Sequence, residues 1–331
     1  MKAAVFDRHG SPSEVLTVRD VPTPTPGRGE VLVRILASPV NPSDLMYVQG
    51  NYGLKPPAFP ATPGFEAVGV VEASGGGLLG WLRKGKRVVV LGSRTGNWAE
   101  YAVAKAKQVV PVPADIPDDQ AATFFVNPAT AYLLTREVLA VPKGEWLLQT
   151  AAGSALGKMV VRLGKKYGFR TVNVVRRREQ VEELKKLGAD AVLVESDGPL
   201  PEQVRKATNL DGVRYAIDPV GGATGTQVVG CLAAGGRMIV YGALSGEPTT
   251  VDPRFLITGS KSVEGFWLSD WAAKSSVFAK LQLIRTIRGL MREGIARTEV
   301  SAGYALDRVG EAVRHAAADG KGGKVLIQVG K

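Results

Sequence analysis

The stretch that decides the fold runs Glu145-Trp146-Leu147-Leu148-Gln149-Thr150-Ala151-Ala152-Gly153-Ser154-Ala155-Leu156-Gly157. Its first six residues form an apolar run of strand length, and small residues follow. From Ser154 to about Tyr167 the apolar residues Leu156, Met159, Val160 and Leu163 recur at helical spacing. A strand that turns tightly into a helix leaves the first backbone N–H groups unpaired at the positive end of the helix dipole. With only small side chains in the way, a pyrophosphate can reach them. The loop is a degenerate form of the glycine-rich dinucleotide fingerprint, with Ser154 where a glycine is commoner. Read alone, it is also consistent with an ordinary strand–helix turn.

The next strand, Arg170-Thr171-Val172-Asn173-Val174-Val175, sharpens the reading. An NAD site carries an acidic residue about 20 residues beyond the glycine loop, to hold the ribose 2′-hydroxyl. Here Arg176-Arg177-Arg178 occupies that position, with no carboxylate before Glu179. Guanidinium groups suit a 2′-phosphate through bidentate, charge-assisted contacts. Cations at a helix start oppose its dipole, so three of them call for an anionic partner. The expected cofactor is NADP(H) rather than NAD(H); a solvated helix start is the alternative.

Outward from this unit the alternation continues. A helix through Leu187, then strands at Ala191–Val194, Arg214–Asp218 and Arg237–Tyr241, predict a doubly wound parallel sheet with helices on both faces. Upstream, residues 118–140 carry a helical pattern interrupted at Pro128, which predicts two helices meeting at Asn127-Pro128. The first third differs. Met1–Phe6, Val31–Ala37 and Arg87–Leu91 read as short strands. They are punctuated by Pro22, Pro24, Pro26, Gly64, Gly69 and Gly75-Gly76-Gly77, which suggests a mostly antiparallel, partly closed β domain. Beyond Lys261 come an aromatic stretch, a long helix from about Trp271 to Glu293, and a last strand, Lys324–Val329, expected to return to the first domain. The expected division is a discontinuous β domain, 1–122 with 265–331, and an inserted nucleotide-binding domain, 123–264.

Composition narrows the function. The 331 residues are 45% apolar and 22% charged, with 42 Lys and Arg against 31 Asp and Glu, a net charge of +11. That profile excludes intrinsic disorder and collagen. A basic surface is compatible with anionic ligands, but no aromatic RNA-binding run, Cys/His finger or basic heptad region accompanies it, so nucleic acid is not an expected partner. No run of about 18 apolar residues occurs, so a membrane is not expected either. Cys231 is the single cysteine, which rules out an internal disulfide and any cysteine-cluster zinc site. Among Val228, Val229 and Leu232 it reads as a small buried residue rather than a nucleophile. The start of the chain reads as a strand rather than a signal peptide, and the expected location is cytoplasmic.

Four stretches give the chain a likeness: Asn41-Pro42-Ser43-Asp44, Gln49-Gly50-Asn51-Tyr52-Gly53, Val126-Asn127-Pro128-Ala129-Thr130-Ala131-Tyr132 and Gly265-Phe266-Trp267-Leu268. With them the chain resembles the medium-chain dehydrogenase/reductase superfamily over essentially its whole length. That family has a GroES-like β domain interrupted by a Rossmann domain. The branch it most resembles is the mitochondrial-type 2-enoyl thioester reductases, with zinc-independent quinone oxidoreductases next. The resemblance implies NADPH-dependent reduction of the activated C=C of an enoyl-CoA or carrier-protein-bound enoyl thioester, the alternative being a quinone or enone substrate. It implies Tyr52 as the acid that stabilises charge on the substrate oxygen. Asn127 and Thr130 would lie beside the nicotinamide, and Gly153, Ser154, Ala155 and Leu156 would face the pyrophosphate. Arg176 and Arg178 would take the 2′-phosphate; Arg177 sits where the family often has an acid. Tyr241, Gly242, Ala243, Leu244, Phe266, Trp267 and Leu268 would wall the nicotinamide pocket, and Lys324 would join from the final strand. For Phe266 ordinary core packing competes.

The resemblance also raises zinc. The positions that hold metal in the alcohol dehydrogenase branch correspond to Asn41, Phe65 and a residue near Asn127, and His9 and His315 are the only histidines. No metal is expected. Asp218-Pro219-Val220-Gly221-Gly222 is explained equally well by a plain turn and stays outside the candidate site, and Glu66 reads as structural. A protein that binds the nucleotide without catalysis is the other class open, though it has no use for either Tyr52 or the arginine cluster. Relatives pair as homodimers through Rossmann sheet edges, which makes a homodimer the expected assembly.

Overall fold

A computed structural model of the chain describes residues 1–318, 320 and 322–330. By contacts it divides into two compact units, Met1–Val126 with Thr298–Lys331, and Asn127–Arg297. The strands before the insertion are β1 (Lys2–Val5), β2 (Thr17–Asp20), β3 (Glu30–Pro39), β4 (Ala67–Ser74), β5 (Arg87–Val90), β6 (Tyr101–Lys105) and β7 (Val109–Pro111). The insertion holds β8 (Trp146–Gln149), β9 (Arg170–Val175), β10 (Ala191–Val194), β11 (Val213–Asp218), β12 (Leu232–Val240) and β13 (Ser262–Gly265). Two more follow, β14 (Val300–Ala305) and β15 (Lys324–Gln328).

In the first unit the sheet runs β14-β15-β3-β4-β5-β7, with β6 also paired to β3. Apart from the parallel β14–β15 pair its pairings are antiparallel. Val31, Val33 and Ile35 alternate inward along β3 and meet Val88, Val90, Trp98 and the final strand's Val325 and Ile327 in one core. The expected return of the last strand is borne out: Ile327 pairs with Ser38.

The second unit is a parallel sheet in the order β10-β9-β8-β11-β12-β13. Numbered within the unit that is 3-2-1-4-5-6, the order of dinucleotide-binding sheets. The α/β class read from the sequence holds.

Three expectations need correction. The chain leaves the second unit at Arg297 rather than 264, because Leu290 and Ala296 are buried in the core built around Leu147, Ile217 and Ile239. The helix expected over 271–293 is two, Leu268–Lys274 and Val277–Arg292. Ser276 breaks it by capping the second: its Oγ accepts from the Ala279 N–H at 3.1 Å. The helices Asp118–Ala122 and Val126–Tyr132 meet before Asn127-Pro128, not at it. Pro128 sits in the first turn, where its missing N–H costs no bond. No helix of the described residues is long and apolar enough to cross a membrane.

Candidate functional site

In the second unit, β8 lies between β9 and β11, where the strand order reverses, and ligands of such sheets bind outside the carboxyl ends of the strands at that point. The loop leaving β8 is tied down on both sides. The Thr150 hydroxyl is bonded to the buried Asp218 carboxylate at the end of β11, and the Ala152 N–H donates to Val174 O at 3.1 Å. Ala151 takes a left-handed conformation, φ +48°, which a residue with a Cβ adopts only under constraint. Ser154 caps the helix Ala155–Tyr167: its Oγ accepts from the Gly157 N–H at 3.1 Å. The serine that departs from the glycine pattern therefore pairs one of the orphan donors itself.

Gly157 is the glycine the turn cannot replace. A Cβ there would lie 2.6 and 2.7 Å from the Ala152 Cα and carbonyl carbon, and nearer still to that carbonyl oxygen. Gly153 faces the Gln180 side chain, which a Cβ would displace. Beneath the loop the buried Gln149 amide donates to Gly157 O at 3.0 Å and to Asn173 Oδ1 at 2.6 Å. Asn173 in turn donates to Ala191 O at 2.9 Å, so one side-chain ladder links β8, β9 and β10 under the turn.

The expected cofactor residues of this unit gather along one sheet edge, with two exceptions. Gly153–Leu156 follow β8 and Arg176–Arg178 follow β9. Tyr241–Leu244 follow β12, and Phe266–Leu268 follow β13. Arg176, Arg177 and Arg178 are exposed, and Arg178 is ion-paired with Asp197. Gly242 sits close against Pro219, whose O would be 2.8 Å from an added Cβ. Tyr241 and Phe266 are half-buried and pack on the core, while Leu244 and Trp267 are exposed. Burial, reinforced by the Asp218 charge, raises the Tyr241 phenol above its ordinary range. Asn127, half-buried, and Thr130, buried, stand instead on the helix Val126–Tyr132. Cys231 closes the helix Gly222–Gly230, buried, its thiol pushed up to about 12 by desolvation.

In the first unit, the helix Pro42–Gln49 ends at Gly50, φ +81°, and the turn beyond it carries Tyr52. The Tyr52 ring packs on Phe65, centroids 5.2 Å apart, and Phe65 meets Tyr47 edge-on at 5.4 Å. Phe65 thus orients the phenol from the position that resembles a metal-ligand histidine.

Beside it lies a buried polar cluster that sequence reading did not assemble. The Lys324 ammonium donates to Asn41 Oδ1 at 2.7 Å, and the Asn41 amide donates to Glu66 Oε1 at 3.0 Å. Glu66 Oε2 accepts from the Phe125 and Val126 N–H groups at 3.2 and 3.0 Å. Asp44 accepts from the Asn41 and Phe65 N–H groups at 2.8 and 3.0 Å. Burial raises both carboxyls, Asp44 to about 7, where the Glu66 charge adds to the effect. Glu66 thus holds the Phe125 and Val126 backbone, and Lys324 has a partner within its own unit.

Asp218, whose segment is explained equally well by a plain turn in the sequence, bonds the Thr150 hydroxyl and accepts from the Val220 and Gly221 N–H groups at 3.0 and 2.8 Å. The signal was an acid ending a parallel strand next to the glycine loop's strand, but only pairing order makes β8 and β11 neighbours.

These residues do not fit zinc. Among the described residues no group of three or more His, Cys, Asp or Glu is placed to hold a metal, and amide, ammonium and phenyl groups stand near Glu66.

Comparison with known proteins agrees with the fold. Residues 27–114 match the alcohol dehydrogenase GroES-like domain and residues 155–285 the domain described as zinc-binding dehydrogenase. The mitochondrial enoyl-[acyl-carrier-protein] reductase of Rattus norvegicus is 36% identical over 298 residues, covering 89% of this chain and 79% of the relative. A Bacillus thuringiensis protein described as an NADPH:quinone reductase superposes with a TM-score of 0.92 at 33% identity, covering 99% of each chain. The Escherichia coli quinone oxidoreductase, solved complexed with NADPH, gives 0.90 at 26% identity, covering 99% of this chain and 100% of its own. The chain belongs to the medium-chain dehydrogenase/reductase superfamily of oxidoreductases.

Proposed function

We propose that the protein is an NADPH-dependent oxidoreductase that reduces the activated C=C of a 2-enoyl thioester, carried on CoA or on an acyl carrier protein. The observation that carries this reading is a phenol, Tyr52, packed on Phe65, which adjoins the buried Lys324–Asn41–Glu66 cluster. A reaction that collects negative charge on a carbonyl oxygen needs a neutral donor there, and a phenol with an ordinary pKa near 10 stays protonated at neutral pH.

NADPH, when bound, supplies the hydride that adds to the β carbon. The backbone N–H groups of Gly153, Ala155 and Leu156 bind its pyrophosphate, while the Ser154 N–H closes the turn onto Ala151 O at 2.9 Å. Arg176 and Arg178 hold the 2′-phosphate, with Arg177 adding charge. Asn127, Thr130, Tyr241–Leu244 and Phe266–Leu268 orient the nicotinamide. Tyr52 donates a hydrogen bond to the thioester oxygen as enolate character grows, and passes a proton toward the α carbon. Lys324 acts on Asn41 and Glu66, as a positioning residue. The relatives named for enoyl reduction support the substrate class, and the NADPH-bound neighbour supports the cofactor. The likeness to quinone reductases supports the second reading, a quinone or enone acceptor. A homodimer joined along β13 is supported by that strand's open edge and by the exposed Val277, Phe278 and Leu281 of the same unit.

The test is steady-state oxidation of NADPH and NADH with crotonyl-CoA, a longer enoyl-CoA and a simple quinone. Enoyl thioesters are expected to be turned over with NADPH in preference to NADH. Tyr52→Phe should lower kcat roughly 100- to 10,000-fold with the KM for NADPH unchanged. Turnover of quinones alone overturns the substrate assignment, and full activity of Tyr52→Phe overturns its role.

A further inference from the structure

The short helix Leu78–Arg83 is packed inside out. Its one buried residue is Gly80, where an added Cβ would strike the Ser74 hydroxyl, while Leu78 is 76% exposed, Trp81 70% and Leu82 49%. A surface helix ordinarily turns such residues into the core. Here Gly80 seats the helix close to Ser74, so the apolar side chains point outward. Gly76 and Gly77, both at positive φ, deliver the chain into this arrangement.

The surroundings are cationic. Residues 75–87 contain four Lys and Arg and no Asp or Glu. Lys84 and Lys86 are exposed. A groove of about 400 Å³ beside the helix is lined by the exposed Arg28, Lys105 and Lys107. Its one acid, Glu30, is already engaged by Arg94 and the Gly27 N–H. We propose that this face is a peripheral docking surface for a membrane bearing anionic phospholipid, with Leu78, Trp81 and Leu82 entering the interface and the cations meeting headgroup phosphates. Exposed Trp and Leu ringed by Lys and Arg match the two components of interfacial binding, apolar insertion and attraction to a negative surface. An acidic protein would complement the cations but leave the apolar side chains without a stated counterpart. The sequence reading set membranes aside for want of a spanning segment, which a peripheral surface does not need.

Sedimentation of the full chain with phosphatidylcholine vesicles, alone or mixed with phosphatidylglycerol, tests this. Binding is expected to the mixed vesicles only and to weaken as salt rises. Lys84→Ala with Lys86→Ala should weaken it roughly 25-fold, about fivefold for each cation removed. Leu78→Ser with Trp81→Ser should weaken it about tenfold or more. None of the four touches the proposed catalytic residues, so NADPH oxidation serves as the folding control. The proposal is overturned by absence of binding at low salt or by binding that ignores all four substitutions. It is equally overturned if the surface instead mediates self-association, or retention on an acidic carrier protein without vesicle binding.

Discussion

Gly157→Ala and Gly289→Ala make the same change in two helices and should move stability in opposite directions. At Gly157 the new methyl would lie 2.6–2.7 Å from Ala152 backbone carbons. Ordinary carbon contacts need about 3.5 Å, so the helix must withdraw by roughly 1 Å. Overpacking of this kind costs about 1–3 kcal/mol. Withdrawal also strains the bonds from Ser154 to the Gly157 N–H and from Gln149 to its carbonyl, each worth about 1 kcal/mol. Alanine's better helix propensity returns about 1 kcal/mol. The net expectation is a loss of about 1–3 kcal/mol, or roughly 1–4 °C in melting temperature for a chain of this length. Gly289, in the helix Val277–Arg292, has nothing within 4 Å of its would-be Cβ, so the same substitution should stabilise by about 0.5–1 kcal/mol. Urea unfolding followed by circular dichroism measures both. Fluorescence titration with NADPH should in addition find Gly157→Ala weakened at least tenfold, roughly the effect of moving binding groups by 1 Å. An unfolding midpoint for Gly157→Ala at or above wild type would refute the close approach, and a fall for Gly289→Ala would refute the propensity argument.

Two further expectations concern the buried cluster of the first unit. Asp44 titrates near 4 when unfolded and at about 7 when folded, so the native state holds its proton more tightly. Its contribution to stability is complete below pH about 4 and is lost as pH rises through about 7, amounting to about 4 kcal/mol at most. Asp44→Asn should therefore flatten the urea midpoint across that range, and an unchanged slope would count against the assignment. Lys324→Met leaves Asn41 Oδ1 and two carboxyls without the ammonium and should cost about 3–5 kcal/mol, more at pH 8 than at pH 5. Thermal melts at the two pH values check it, and equal losses would contradict the charge argument.

The second unit was legible because its signals are local. A strand, a small-residue turn and an amphipathic helix lie within 23 residues, and the arginine triplet closes the next strand. What escaped was either long-range or dependent on a single hydroxyl. Lys324 meets Asn41 across 283 positions, so no window along the chain could have joined them. Asp218 gains its role only because β11 pairs with β8. Ser276 divides an otherwise helical run because its side chain captures the next helix's N–H, a competition that periodicity does not register. That Leu78, Trp81 and Leu82 face outward depends on the burial of Gly80, a packing fact that the local sequence does not carry.

The seat of β15 between β14 and β3 bears on what a shortened polypeptide exposes. Without β15, Ala37, Ser38 and Pro39 of β3 and the facing side of β14 lose their partners along one border of the sheet, although β3 still pairs with β4 and β6. A nonsense mutation or protease cut just upstream of Lys324 would leave that border permanently bare, a ready template for aggregation.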